Sequence, residues 1–581
     1  MDNLNILQEA VNKILTSGKG KQKKSYDLLV GVHGTDVKHW PAHLAMQCIK
    51  ELLPVEATTP PVRRAITSLT PEEEQEIKEL HASDKPWLEK LKYMNQRFGI
   101  QSRTVPNWFN TLGLSQKQAT PDILRGTDKK ELTKKILLVT CAQNATPVHT
   151  DMWANMKAYA EYLNADISVI PNRYKNPTSI FTEKEDDWWA KEVIPYLDTT
   201  DHNACKNLVI LGGFKVQPTA AYPLKELSAI TTGRTAIVGH PKMHLESVPV
   251  LEGEHRQKLW STGTLTLENY TDSRAGAKGK SHHTFGFVIV ELDGDDFHIR
   301  HVPVCEDGTF QDLWFKVDGD VTVCDKIRTL VLGDLHVGDH SDDKLDSSIT
   351  LAHCLTPEHV VLHDIFNGHS VNPHEVKDGV KAFHRINNKR HLLSKEVDEM
   401  YGMLHWLTQE LHQSKFVVVR SNHDIFVDRY LVDRNWKDDA ANADWYAECL
   451  LVLLRDENCK GVIPYLIEKE FGDRIICLGR DESYRPGEYQ LANHGDLGTN
   501  GSKGSPLQYS KLNTKQITGH THSPSRINGL LVAGTSTKLR VGYNVGPSSW
   551  AHADVIEYLN GKGTHIIYNE KYKFTTLPYP T

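Results

Sequence analysis

Five short clusters of carboxylate, imidazole and amide side chains fall in the last 260 or so residues of the 581-residue chain. They are Gly333-Asp334-Leu335-His336, His363-Asp364-Ile365-Phe366-Asn367, Ser421-Asn422-His423-Asp424, Asn493-His494-Gly495-Asp496 and Gly519-His520-Thr521-His522. Apolar, β-type runs precede the first three: Leu330-Val331-Leu332, Val360-Val361-Leu362 and Phe416-Val417-Val418-Val419. Among 30 histidines a lone D-x-H or H-x-H pair carries little weight. Five clusters, each where a strand should end in a loop, carry more. Oxygen and imidazole ligands converging from several strand ends suit a pair of hard-to-borderline divalent cations. Two such cations a few ångströms apart can clamp the attacking and leaving oxygens of a phosphoryl displacement.

The five blocks in this order resemble the calcineurin-like metallophosphoesterases, whose pattern is D-x-H, G-D-x-x-D/N, G-N-H-D/E, H and G-H-x-H. The resemblance covers roughly residues 325–560 and implies a four-layer α/β/β/α sandwich. It implies Asp334, His336, Asp364 and His522 as ligands of a first metal. Asp364 would bridge to a second, held by Asn422, His494 and His520. It makes His423 the histidine that stabilises the pentacoordinate phosphorus or protonates the leaving oxygen, with Asp424 holding that imidazole in one tautomer. The chain departs from the pattern at His363 and Ser421, which replace glycines; neither position is a ligand in the family. Two divalent ions per chain are expected, activating a bridging water as hydroxide. Mn²⁺ is the expected metal, with Fe, Zn²⁺ or Mg²⁺ as alternatives; the absence of thiolate argues against a structural zinc site.

The length suggests three domains: residues 1–132 helical, 133–322 an α/β accessory domain and 323–581 the metallophosphoesterase domain. No apolar run approaches 18 residues, so no membrane partner is expected. The N-terminus lacks a signal-peptide pattern, and the nine cysteines include no C-x-x-C pair. Both fit reduced thiols in a cytoplasm, the host's if the chain is phage-encoded. Net charge is −7, but residues 1–135 hold 21 Lys+Arg against 16 Asp+Glu. A basic N-terminal part and an acidic remainder fit a nucleic-acid handle on an enzyme.

The positioning elements follow from periodicity. Thr70-Pro71-Glu72-Glu73-Glu74 reads as a capped helix start. A second helix runs from Pro86-Trp87 to near Phe98-Gly99, and Ser102 to Leu114 resembles the recognition half of a helix-turn-helix. There Val105, Trp108, Phe109 and Leu112 form the packing face, leaving Arg103, Thr104 and Asn107 for DNA. Residues 133–320 alternate strand and helix as a parallel-sheet domain. Strands are expected at 135–140, 167–170 and 208–211, helices at 151–163 and 185–197, and a hairpin around Asp293-Gly294-Asp295-Asp296. The basic, Gly-rich stretch 274–283 reads as a loop whose Lys278 and Lys280 are suited to phosphate. Gly239-His240-Pro241-Lys242, which follows a strand, is similarly suggestive of phosphate contact. Residues 375–411 are expected to be mainly helical. The strands near 530–534, 553–557 and 565–568 are expected to complete the second sheet of the sandwich. No internal repeat is legible in the residues themselves.

Three functions fit. The first is a Mn²⁺-dependent DNA nuclease, resembling phage-encoded or bacterial members of the superfamily distantly akin to double-strand-break repair exonucleases. The second is a phosphatase or cyclic-nucleotide phosphodiesterase acting on small molecules. The third is a DNA-binding regulator that keeps its metals structurally. A homo-oligomer is compatible with each.

Overall fold

The structure, a computed structural model, describes residues 69–83, 85, 87–100, 105, 108, 109, 112, 114, 132–176, 188–372 and 378–580. It contains two compact units, residues 1–116 and 117–581.

In the first unit, helix Pro71–Ala82 starts where the sequence places it. Thr70 caps it, accepting from Glu73 N–H while the Glu73 carboxylate accepts from Thr70 N–H, so two otherwise orphaned donors are satisfied. A second helix spans Trp87–Phe98, and Val105, Trp108 and Phe109 lie in a further helical turn. Ile77, Leu80, Met94, Phe98, Val105, Trp108 and Phe109 bury one another in a core of their own. The expected packing face is therefore a packing face. Arg103, Thr104 and Asn107 lie outside the described residues.

The second unit is built on two large sheets. Strands Ile475–Leu478, Lys415–Val419, Pro357–His363, Ile327–Val331, Ala553–Tyr558 and Gly563–Ile567 lie side by side in that order. The first four are mutually parallel, and the last two add antiparallel. These strands are Val/Ile-rich because both faces are buried. With a side-chain period of two, Leu330, Leu332, Val360, Leu362, Phe416 and Val418 face helices, including Leu393–Glu410. Val331, Val361, Val417 and Val419 face Leu491, Ile517, Leu531 and Ala533 of the second sheet. The layering is helix, six-stranded sheet, nine-stranded sheet. Only the 530–532 strand of the three expected C-terminal ones joins the second sheet. The 553–558 and 563–567 strands extend the first sheet instead, because 553–558 pairs antiparallel with 327–331.

The second sheet crosses the boundary expected at residue 322. Its strand order is Tyr489–Gln490, Lys515–Thr518, Leu530–Val532, Ser525–Ile527, His240–Ser247, Lys258–Gly263, Thr235–Val238, Leu208–Leu211, Asp201–Cys205. About the junction of 525–527 with 240–247, the four strands on either side share one topology. Each half runs outward as an antiparallel pair followed by two parallel ones, and Asp201–Cys205 adds antiparallel beyond the second half without a counterpart in the first. A four-stranded sheet of Asp166–Asn172, Ile136–Gln143, Gly286–Asp293 and Asp296–Pro303 repeats the order and sense of 357–363, 327–331, 553–558 and 563–567. Helix Thr150–Tyr162 joins its first two strands as helix Asp342–Leu355 does in the other copy. Residues 136–303 and 327–568 are thus two copies of one frame. The duplication escapes sequence reading because strand pairing preserves only burial pattern, and the residues filling that pattern have diverged.

Two further expectations change. The first is the helix expected over 185–197. Its described part, residues 188–197, forms turns and a 3₁₀ segment Ile194–Tyr196. Pro195 offers no N–H to a helix there. The second is the stretch 274–283, which is no loop: Arg274–His282 is a helix capped by Ser273, whose Oγ accepts from Gly276 N–H. A Cβ on Gly276 would stand 1.8 Å from the Thr271 carbonyl oxygen, so this glycine serves close packing rather than a phosphate cradle. Lys280 pairs with Glu268 at 3.3 Å, and Lys278 is solvent-exposed. Among the described residues no helix is long and apolar enough to cross a membrane.

Candidate metal centre

The motif loops converge where the strands of the two sheets end. Asp334 and His336 follow strand 327–331, Asp364 follows 357–363, Asn422 and His423 follow 415–419, and His520 and His522 follow 515–518. His336, Asp364, His520 and His522 all adopt left-handed backbone (φ +43°, +48°, +72° and +57°). Such conformations are costly for non-glycine residues and persist where the surroundings over-determine them, often at functional sites. Gly519 shows how tight the convergence is: a Cβ there would come within 2.1 Å of Asp334 Oδ1.

One ligand atom from each of Asp334, His336, Asp364 and His522 lies within 4.8 Å of every other, and all four residues are buried. His522 Nε2 is 3.0 Å from Asp334 Oδ2, and His336 Nε2 is 3.3 Å from Asp364 Oδ2. The two imidazole Nε2 atoms approach to 3.1 Å. A second group overlaps the first through Asp334 and adds His363 and His494. His494 Nε2 stands 3.1 Å from Asp364 Oδ2 without hydrogen-bond geometry, so Asp364 reaches toward both groups. Asp334 Oδ1, Asp364 Oδ1, His363 Nε2 and Asn422 Oδ1 are buried with no protein partner. Buried polar atoms are normally satisfied. An orphaned set of mixed Asp, His and Asn donors is what borderline divalent cations require, so the residues fit such ions.

Electrostatics agree. Burial opposes ionisation of Asp334 and Asp364. Even so, His522 beside the first, and His494 with His336 beside the second, hold both carboxyls below the usual range. His494, against the cost of burial, is held protonated up to about 9 by Asp364. This charge balance is what a cation would replace.

The structure brings together seven of the residues singled out by sequence: Asp334, His336, Asp364, His423, His494, His520 and His522. His423 sits over His336, ring centroids 4.4 Å apart, and His520 over His494 at 5.1 Å. The His520 backbone N–H also donates to Asp334 Oδ2 at 2.7 Å. Asp424 does not hold His423. The His423 Nδ1 is bonded to the Asn367 carbonyl oxygen at 2.5 Å, while Asp424 Oδ2 accepts the Ser421 N–H at 2.8 Å. The short Ser421–Asp424 turn bends that carboxylate back on its own loop, and burial pushes it up to about 7. His363 was passed over because it stands where the family pattern has glycine; its place beside the bridging Asp364 was the available signal. Sequence reading also missed Asp339. Asp339 accepts from Asn367 Nδ2 at 3.0 Å and from Arg390 Nη1 at 3.1 Å, with His369 Nε2 at 2.8 Å. Beyond it opens a cavity of about 400 Å³ whose lining mixes Lys389, Arg390 and Lys395 with Glu396 and Glu399.

Comparison with known proteins adds one relative. Protein A1 of Escherichia phage T5 is 32% identical over 464 residues, which cover 74% of this chain and 81% of that protein. The chain belongs to the Protein A1 family. No protein-family model matches it, and no solved structure does. In this member of the Protein A1 family, both groups of potential ligands found among the described residues lie in the second copy of the frame. At the corresponding points of the first copy stand Cys141 for Asp334, Ile170 for His363 and Lys242 for His522. The first of these matches is fixed by the Thr264 and Thr535 hydroxyls, which donate to the Cys141 and Asp334 carbonyls at 3.0 and 3.1 Å.

Proposed function

We propose that the chain is a dinuclear-metal phosphodiesterase, a Mn²⁺-dependent DNA nuclease acting in the host cytoplasm. The observation that carries this reading is the buried convergence of Asp334, His336, Asp364 and His522, extended by His363 and His494. Asn422 and His520 complete the set that would hold the ions. Bound there, two divalent cations would supply Lewis-acid polarisation of the phosphoryl group and acidify a water.

The chain's own residues do the rest. Burial holds His423 down to about 4, so it is neutral at rest. Its Nδ1 is fixed on the Asn367 carbonyl, which orients the ring and reserves Nε2 for the reacting group. As water adds to phosphorus and the ester bond breaks, Nε2 can take the proton that the water releases and deliver it to the departing alkoxide. The helical N-terminal unit, through Arg103, Thr104 and Asn107, would bring DNA to the site.

The test is digestion of linear duplex DNA and of bis-p-nitrophenyl phosphate, each with Mn²⁺ and with EDTA. A nuclease degrades both in Mn²⁺. Cleavage of the small ester alone would favour a small-molecule phosphodiesterase. A DNA mobility shift without any cleavage would favour a regulator.

A further inference from the structure

The two copies of the frame differ behind the metal loop as well as in it. In the second copy, Lys344 Nζ donates to Ser348 Oγ at 2.9 Å, to Ser536 Oγ at 2.8 Å and to Asp554 Oδ1. Asp554 Oδ2 also accepts from Ser348 Oγ at 2.7 Å and from the Tyr568 hydroxyl at 2.6 Å. Lys344, Ser348, Ser536 and Asp554 are fully buried, and Tyr568 nearly so. This network ends on one residue. Gly333 N–H donates to Asp554 Oδ1 at 2.9 Å, and the Gly333 carbonyl accepts from Ser536 Oγ at 3.0 Å. Gly333 is the residue before Asp334.

The first copy supplies the control. Lys344 and Ser348 are the third and seventh residues of their helix; the third and seventh of helix Thr150–Tyr162 are Met152 and Met156. Ser536 accepts the Ser341 N–H through its carbonyl, as Leu265 accepts that of His149. Asp554 pairs with Ile566 as Phe287 pairs with Val302. The Tyr568 N–H donates to the His552 carbonyl as that of Val304 donates to Phe285. Met152, Met156, Leu265, Phe287 and Val304 are all buried in one apolar core. The same frame therefore folds with five apolar residues where the second copy holds a buried ion pair and three hydroxyls. Burying such a pair is no gain over well-packed apolar side chains and is often a loss. The first copy buries an ion network elsewhere, Arg300 with Glu291 and Asp312, but only the Lys344–Asp554 network ends on the residue before a potential ligand, and its five positions are apolar in the first copy.

We infer that Lys344, Ser348, Ser536, Asp554 and Tyr568 are positioning residues that clamp Gly333 and thereby aim Asp334 and His336 at the metals. The inference rests on the reading of Asp334, His336, Asp364 and His522 as ligands. Residues that orient metal ligands in this manner commonly change metal affinity by 10- to 100-fold when altered.

The test transplants the first copy's residues into the full-length chain: Lys344→Met, Ser348→Met, Ser536→Leu, Asp554→Phe and Tyr568→Val together. Mn²⁺ affinity is measured by calorimetry and stability by the melting temperature of the metal-free protein. The expected result is a metal-free melting temperature equal to or above wild type, with Mn²⁺ binding weakened tenfold or more. Tyr568→Phe, which removes one hydrogen bond to Asp554 and little volume, should weaken Mn²⁺ binding by a few-fold without lowering the metal-free melting temperature. It decides the matter if the fivefold variant does not fold. Wild-type Mn²⁺ affinity in Tyr568→Phe and in a folded fivefold variant would overturn the inference, as would a fall in melting temperature that alone accounts for the loss of metal. If wild-type protein itself binds no Mn²⁺, the reading of the ligands fails instead.

Discussion

The two copies of the frame are built by the same strand order and the same crossover helix, yet among the described residues only one gathers potential ligands. Where the second copy has Asp334, His363 and His522, the first has Cys141, Ile170 and Lys242. Each replacement is itself satisfied: Cys141 Sγ donates to the Gly263 carbonyl at 3.1 Å, and Lys242 Nζ to the Ala221 carbonyl at 2.6 Å. The comparison separates what the frame needs from what a metal centre needs. The first copy holds the frame with hydrophobic layers, backbone pairing and a buried Arg300–Glu291–Asp312 ion network. The second adds potential ligands in left-handed backbone and a polar clamp that ends on Gly333.

The largest effect that could break this contrast is at Asp364, the proposed bridging carboxylate. Asp364→Ala should lose one or both ions and nearly all hydrolysis, whereas Cys141→Ala in the other copy should leave both unchanged. Elemental analysis and Mn²⁺-dependent DNA digestion measure this; equal behaviour of the two variants would mean the copies do not differ as described. Next in size is His423→Ala, which touches the reacting group rather than the ions. Metal content should persist while turnover falls roughly 10²–10⁴-fold. Loss of metal as severe as in Asp364→Ala would move His423 into the ligand set.

A pH effect should expose the buried histidines of both copies. Burial holds His240 and His244 down to about 3 and His283 to about 4, and His565 of the second copy to about 3. Unfolded, each takes up its proton near 6.5. The unfolded state therefore binds more protons below that value, and the stability these groups confer is full above pH 6.5 and drains away toward pH 4. Thermal melts of the metal-free protein should fall steadily over that window. A melting temperature flat from pH 7 to 4.5 would refute it. The smallest effect concerns the N-terminal unit: Arg103→Ala should make the salt dependence of DNA binding shallower by about one unit, with ester hydrolysis untouched. An unchanged slope would assign that helix to packing alone.

Much of the site was legible because its chemistry is local. Asp334, His336, Asp364 and His423 each sit in a short motif after an apolar strand, and His494, His520 and His522 in short histidine motifs, signals that survive in one sequence. Thr70-Pro71 and its acidic first turn likewise fixed a helix start. Contacts made across the fold were not legible. Asn367 rather than Asp424 orients His423 because strands 357–363 and 415–419 are neighbours, which no spacing reveals. The clamp from Lys344 to Asp554 joins residues 210 apart. The duplication was hidden for the same reason, since Met152 and Lys344 share a position only in three dimensions.

The central claim is that one dinuclear centre, in the second copy alone, cleaves DNA. Release of acid-soluble nucleotides from linear duplex DNA, by wild type and Asp364→Ala in Mn²⁺ and in EDTA, tests it most directly. The account predicts release only by wild type and only with Mn²⁺. Release by Asp364→Ala at the wild-type rate, or no release by a Mn²⁺-loaded wild type, would contradict it.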